Sequence, residues 1–155
     1  MWKKLSVIVL ALVLVSLSVA AVASADSVAG SGWITADGAG RVCMTGNGDA
    51  LSISGNGVLW YFDGGEEDTP VVTGRGHARE FASGWVRWRG FHGTFTLQDA
   101  DDVIVCLRGW NIHLRAEGTG AVRLTGRGQY ETGGDGVPTL SGSWSPAGTE
   151  IQLGQ

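Results

Sequence analysis

Residues 36–48 of the chain read ADGAGRVCMTGNG, and residues 116–128 read AEGTGAVRLTGRG. Seven of the thirteen aligned positions are identical, and four of these are the glycines of two Gly-x-Gly elements. Between the elements, apolar and polar side chains alternate with a period of two, which is typical of a β-strand with one buried face. The repeat therefore predicts two equivalent strand–turn units whose inward side chains belong to the core, namely Val42, Met44, Val122 and Leu124.

The same pattern continues outside the repeat. All 26 glycines lie after residue 25, where they make up about one residue in five, against roughly 7% in average proteins. They separate eleven short alternating runs between Trp33 and Thr132, and no window shows the 3.6-residue apolar period of a helix. Gly-x-Gly between such runs suits turns, bulges or corners at which two backbones approach closely.

These runs predict an all-β, glycine-rich domain over residues 26–155, an antiparallel sandwich or small barrel. A short β-solenoid with coils stacked in parallel is the second choice. The Gly-x-Gly elements recur at irregular intervals, whereas a solenoid keeps a fixed period, so the antiparallel arrangement is favoured. The stretch Gly133–Gly136 and the residues around Pro146 predict loops and a loosely ordered C-terminal end.

Residues 1–25 have the pattern of a secretory signal peptide. Lys3 and Lys4 precede the apolar run Leu5–Leu17, and the small residues at 23–25 suit a cleavage site. We therefore expect an N-terminal signal helix and export of the chain, to the cell envelope, the periplasm or the outside. Contact with a membrane is expected only if this helix remains uncleaved, because it is nearly long enough to span a bilayer.

Charge and motif content limit the functions that the exported domain is expected to have. From Asp26 onward, nine arginines against fifteen acidic residues give a formal charge of −6, which argues against nucleic acid as a partner. The three histidines lack metal-binding spacing, and no serine lies in a Gly-x-Ser-x-Gly elbow, so we assign no catalytic residue, metal or cofactor. We expect a non-catalytic structural, adhesive or ligand-binding domain. A small secreted hydrolase using a His–carboxylate pair is the alternative.

Two cysteines, Cys43 and Cys106, lie in different strand-like runs, 63 residues apart. An oxidising compartment permits a disulfide bond between them. Two buried free thiols on separate strands are the other arrangement that the sequence allows.

A candidate ligand-binding surface follows from alternation in three predicted strands, Trp85–Arg89, Phe91–Leu97 and Trp110–Arg115. Trp110, Ile112 and Leu114 would point inward in the third of these strands. The candidate binding residues among the outward positions are Trp85, Arg87, Arg89, His92, Asn111, His113 and Arg115. Arginine forms bidentate hydrogen bonds with anions and tryptophan stacks on flat rings, so this set predicts an anionic or carbohydrate ligand. The alternative is a solvated outer sheet face that carries unrelated charges.

Cleavage of the predicted signal peptide would leave Asp26 as the first residue of the exported protein. Intact-mass and N-terminal peptide analysis of the exported protein should show this terminus. A mature form that keeps Trp2 and Leu5 would contradict the prediction and indicate a membrane-anchored chain.

Overall fold

The structure, a computed structural model, describes residues 26–27, 30–65 and 69–154. The predicted signal segment, residues 1–25, lies outside the described residues. Within them the chain forms six strands: β1 Asp26–Ser27, β2 Gly32–Asp63, β3 Val71–Glu80, β4 Val86–Gly134, β5 Val137–Ser143 and β6 Thr149–Leu153. The predicted all-β, mainly antiparallel class is confirmed. This part of the chain contains no helix that could cross a membrane.

Two very long strands dominate the sheet, since β2 has 32 residues and β4 has 49. Most of β2 is hydrogen-bonded to β4 on both of its sides. Val42, for example, pairs with Leu107 on one side and with Leu124 on the other. The hairpin formed by β2 and β4 therefore winds back on itself, and the sheet curls around its own apolar face.

The curled sheet stays open. Among the described strands, β3 pairs only with β4, which leaves a free edge, so the sheet is not closed into the small barrel that was one expectation. The long ladders between β2 and β4 are antiparallel, which also differs from the parallel coils of the solenoid alternative.

Glycines line up across neighbouring strand segments where the sheet bends. Two rows of four are formed by direct pairing: Gly57–Gly109–Gly40–Gly126 and Gly48–Gly118–Gly32–Gly134. At these corners the backbones nearly touch, and a Cβ on Gly40 (φ 140°) would lie 2.1 Å from the carbonyl oxygen of Thr125. The strands predicted to end at glycine therefore continue through it, because glycine permits the bend without interrupting the ladder.

The two repeats pair with each other in antiparallel register. All eight of their glycines are matched: Gly38 with Gly128, Gly40 with Gly126, Gly46 with Gly120, and Gly48 with Gly118. The predicted core residues of the repeat are at most 1% exposed, which confirms the predicted register: Val42, Met44, Val122 and Leu124. They belong to one continuous core, in which the rings of Tyr61 and Phe95 join different bends of the hairpin at 5.2 Å.

The C-terminal end, for which the sequence predicts loose attachment, is held in the sheet. β5 pairs with the end of β4, and β6 pairs with the segment of β4 around Val122. Trp144, Ile151 and Leu153 are buried, and the Trp144 indole donates a hydrogen bond to the carbonyl oxygen of Gln129 at 3.1 Å. Glycine and proline mark only the turns here, and the buried side chains between them fix the segment.

Alanine at two glycine positions tests how far the fold depends on close backbone approach. A Cβ on Gly109 would lie 1.7 Å from the carbonyl oxygen of Asn56, whereas the nearest atom to a Cβ on Gly48 is 3.7 Å away. Neither glycine has a positive φ, so the two differ mainly in space. We expect Gly109→Ala to lower the free energy of unfolding by about 3 kcal/mol or more, and Gly48→Ala to change it by less than about 1 kcal/mol. Urea denaturation measures both, and equal effects would contradict the role assigned to the corners.

Candidate functional site

The structure brings together only part of the predicted ligand-binding set. Trp85, Arg87 and Arg89 lie on one side of the glycine row that contains Gly57 and Gly109. His113 and Arg115 lie on the other side of that row, where they pair with Ser54 and Ser52. The two remaining residues, His92 and Asn111, are exposed at the corner itself. The bend in the sheet thus separates residues that a flat three-stranded face would have joined.

Trp85, Arg87 and Arg89 have basic neighbours from other strand segments. In one row across the sheet, Arg79 pairs with Arg87, and Arg87 pairs with Trp60. In the adjacent row, Val58 lies between Arg89 and Arg108, and Arg108 pairs with Arg41. Residues two apart in a strand project from the same face, so both rows form one outer surface. We call this surface the arginine face: Arg41, Arg79, Arg87, Arg89 and Arg108 with the rings of Trp60, Phe81 and Trp85.

Aromatic rings hold the guanidinium groups at one end of the arginine face. The Arg87 guanidinium lies 5.0 Å from the centre of the Trp60 ring and 5.1 Å from that of Phe81. The Arg79 guanidinium also lies over the Phe81 ring, 5.1 Å from its centre. The rings of Trp60 and Phe81 are themselves stacked, with centres 5.8 Å apart. These cation–π contacts orient the arginines without neutralising them.

Among the described residues, no acidic side chain forms an ion pair with an arginine of the arginine face. Arg79 opposite Arg87, and Arg41 opposite Arg108, are like charges at directly paired positions, which destabilises a sheet. The ion pairs in the part of the chain that the structure describes are instead His113–Asp37 and Arg123–Glu150.

Arg87 is partly buried, whereas the other four arginines of this face are exposed. Its Nε is buried and has no hydrogen-bond partner among the described residues. Partial burial lowers the pKa of Arg87 from its usual value, and the nearby charges of Arg89 and Arg79 lower it further. A bound anion would offset both the desolvation and the repulsion.

A disulfide bond lies within the arginine face. Cys43 and Cys106, directly paired on β2 and β4, are bonded, which is one of the two arrangements that the sequence left open. Arg41 donates from Nε to the sulfur of Cys43 at 3.2 Å, and its Nη2 lies 3.9 Å from the sulfur of Cys106. Arg41, Cys106, Trp60 and Trp85 line a shallow depression of about 270 Å³.

The other predicted residues have different surroundings. The Nδ1 of His113 is hydrogen-bonded to a carboxylate oxygen of Asp37, and both side chains are about two-thirds exposed. The Nδ1 of His92 is hydrogen-bonded to the side-chain oxygen of Asn56. Arg115 lines a separate groove of about 470 Å³ together with Trp33 and Glu117.

Sequence reasoning missed Arg41, Arg79, Arg108, Trp60 and Phe81. One signal was available for two of them. If Cys43 and Cys106 are directly opposed in an antiparallel pair, the residue two before Cys43 faces the residue two after Cys106, and these are Arg41 and Arg108. The position of Phe81 beside Trp60 depends instead on the turn between β3 and β4, where the amide of Phe81 bonds the carbonyl of Trp85 at 2.9 Å.

Comparisons with known proteins do not add to this picture, because no family model, curated protein or solved structure matches the chain. Within the part of the chain that the structure describes, no three His, Cys, Asp or Glu side chains are grouped so as to hold a metal ion. The functional argument therefore rests on the side-chain geometry.

Removal of the disulfide bond should weaken the fold measurably. In the chain-entropy model a closed loop with a sequence separation of 63 stabilises the folded state by about 4 kcal/mol. We expect reductant to lower the urea midpoint of the wild-type protein by a corresponding amount. The double variant Cys43→Ala, Cys106→Ala should start from the lower midpoint and not respond to reductant. A wild-type midpoint that is insensitive to reductant, with free thiols detected, would contradict the prediction.

Proposed function

We propose that the chain is an exported, non-catalytic binding domain whose arginine face binds an anionic polysaccharide. The observation that carries the proposal is the pair of like-charge contacts, Arg79 with Arg87 and Arg41 with Arg108, which have no ion-pair partner in the part of the chain that the structure describes. A domain with a formal charge of −6 gains nothing in stability from concentrating its arginines in this way. In this proposal the curled sheet presents two outer faces, in the manner of a sandwich, and one of them is the ligand-binding face.

The shape of the arginine face favours an extended ligand. From Arg89 to Arg41 the row crosses three strand spacings, about 14 Å. The depression between Arg41, Trp60 and Trp85 on this face, about 270 Å³, is smaller than the roughly 300–1,000 Å³ of usual small-molecule sites. Charges spread over an open surface match anionic groups that recur along a chain. Guanidinium groups bind carboxylate or sulfate in a bidentate manner, and both occur on acidic polysaccharides.

A hydrolase is the second candidate, because pairing across three strand segments places Ser54, His113 and Asp37 in one row. The His113–Asp37 hydrogen bond is the contact that orients a histidine base in serine hydrolases. Ser54, however, makes no hydrogen bond with His113 in this structure, and the histidine is about two-thirds exposed. The binding domain is therefore the better supported function. A hydrolase would cleave p-nitrophenyl acetate in a reaction that His113→Ala abolishes.

Binding of dextran sulfate, compared with uncharged dextran, tests the arginine face. We expect the protein to bind dextran sulfate, and binding to weaken with added salt because exposed charges are screened beyond about 8–10 Å at physiological ionic strength. Arg87→Ala and Arg108→Ala should each weaken binding about tenfold or more, since a hydrogen bond to a charged group is worth about 1.5–3 kcal/mol. Isothermal titration calorimetry at two salt concentrations measures both effects.

Arg115→Ala is the matched control. It removes the same charge from an exposed side chain on the other side of the glycine row, so binding of dextran sulfate should stay at the wild-type level. Arg108 is exposed as well. Its variant therefore tests the loss of the charge without the loss of the ring contacts that Arg87 makes. Absence of binding, or equal weakening in Arg108→Ala and Arg115→Ala, would disprove the proposed site.

A further inference from the structure

Trp110 points to solvent, although alternation predicts it inward with Ile112 and Leu114. The latter two are buried as predicted, whereas Trp110 is 59% exposed. The pairing explains the difference, because Gly38 pairs with Ile112 while Gly40 pairs with Gly109. On this side of β4, Trp110 and Asn111 together therefore face the single residue Ala39, which is the two-against-one arrangement of a β-bulge; on the other side Trp110 pairs with Asn56.

The bulge has a cost that core packing does not explain. Asn111 has a φ of 51°, a left-handed conformation that asparagine tolerates better than most residues but that is still unfavourable. The bulge also exposes the large aromatic side chain of Trp110 to water. Bulges commonly re-aim a side chain next to a functional site, and here the re-aimed side chain is an indole.

The exposed indole forms one wall of a trough, which we call the Trp110 trough. Its floor is made of Gly38, Ala39 and Gly128, and Arg127, which pairs with Ala39, forms the opposite wall. The trough has a volume of about 500 Å³. Position 38 admits no side chain, because a Cβ on Gly38 would lie 2.4 Å from the carbonyl oxygen of Arg127 and 3.1 Å from the buried ring of Trp144.

Apart from Ile112, the remaining side chains that line the Trp110 trough are polar and of mixed type. Asn111 and His113 lie beside the indole, and His113 is hydrogen-bonded to Asp37. The other large apolar side chains that are exposed among the described residues, Val71, Val72 and Leu140, lie on β3 and β5 away from this corner. A single aromatic face surrounded by donors and acceptors does not suit a broad apolar partner surface.

We infer that the Trp110 trough is a second binding site, which holds a pyranose ring of an uncharged glycan against the indole. A pyranose ring has an apolar face of C–H groups, which can pack on the indole, and a rim of hydroxyls that both donate and accept hydrogen bonds. Asn111, His113 and Arg127 are placed to bond that rim, and the volume of about 500 Å³ lies in the range of small-ligand sites. The inference is independent of the arginine face, because no residue is shared.

Binding of uncharged glycans tests the inference directly. The full mature domain is screened on an array of neutral glycans, and the best ligand is then titrated by calorimetry and by ¹H–¹⁵N NMR of the tryptophan indole groups. We expect a saturable interaction that shifts the Trp110 indole signal, assigned from its absence in Trp110→Ala. That variant should lose about tenfold or more in affinity, as truncation of a central aromatic contact does. Added salt should have little effect, since the ligand carries no charge.

Three variants make the outcome decisive. Trp110→Phe should retain part of the affinity because an aromatic face remains, and Asn111→Gly should weaken binding while glycine still permits the bulge. Arg87→Ala, which weakens dextran sulfate binding if the arginine face is correct, should leave neutral glycan binding unchanged. An array without any bound glycan, or wild-type affinity in a folded Trp110→Ala, overturns the inference. Equal losses in Trp110→Ala and Arg87→Ala would overturn the claim of a separate site.

Discussion

Close contact between glycine backbones is the constraint on which the rest of the structure depends. In the row Gly57–Gly109–Gly40–Gly126, every strand segment contributes a residue without a side chain at the point where the sheet bends. A Cβ on Gly57 would lie 2.0 Å from the carbonyl oxygen of Arg108. Without these rows, β2 and β4 would remain a long flat hairpin with one apolar face in water. With them, that face closes over a single core.

The same rows decide where side chains of functional interest can lie. The bend separates Arg87 and Arg89 from His113 and Arg115, so that a charged surface and a mixed polar surface develop on opposite sides of one corner. Trp110 lies at the bend itself, and the trough beside it is lined by Gly38 and Gly128 of the paired repeats. The glycines that allow the core to form thus also shape both proposed binding surfaces.

Sequence patterns predicted the inward residues well and the strand neighbours poorly. Alternation correctly placed Val42, Met44, Val122 and Leu124 in the core, because the side-chain period of a strand is a local property. It failed at Trp110, where one additional residue in a bulge reverses the direction of a side chain. The composition of the arginine face depends on register between distant segments, such as Arg79 beside Arg87 and Arg41 beside Arg108. Alternation within one strand contains no information on that register.

The disulfide bond connects the stability of the fold with the arginine face. Arg41 and Arg108 face each other two pairs away from Cys43 and Cys106, so their repulsion acts on a part of the ladder that is covalently closed. Elsewhere two like charges would favour local opening of the pair, but here the cross-link and the buried residues Val42 and Leu107 between the two pairs oppose it. The cross-link thus keeps Arg41 and Arg108 at a fixed spacing, whereas Arg79 and Arg87, next to the free edge, are held by contacts with aromatic rings. The place where the strands are fastened most firmly is therefore also the place where a preorganised anion-binding surface is physically most feasible.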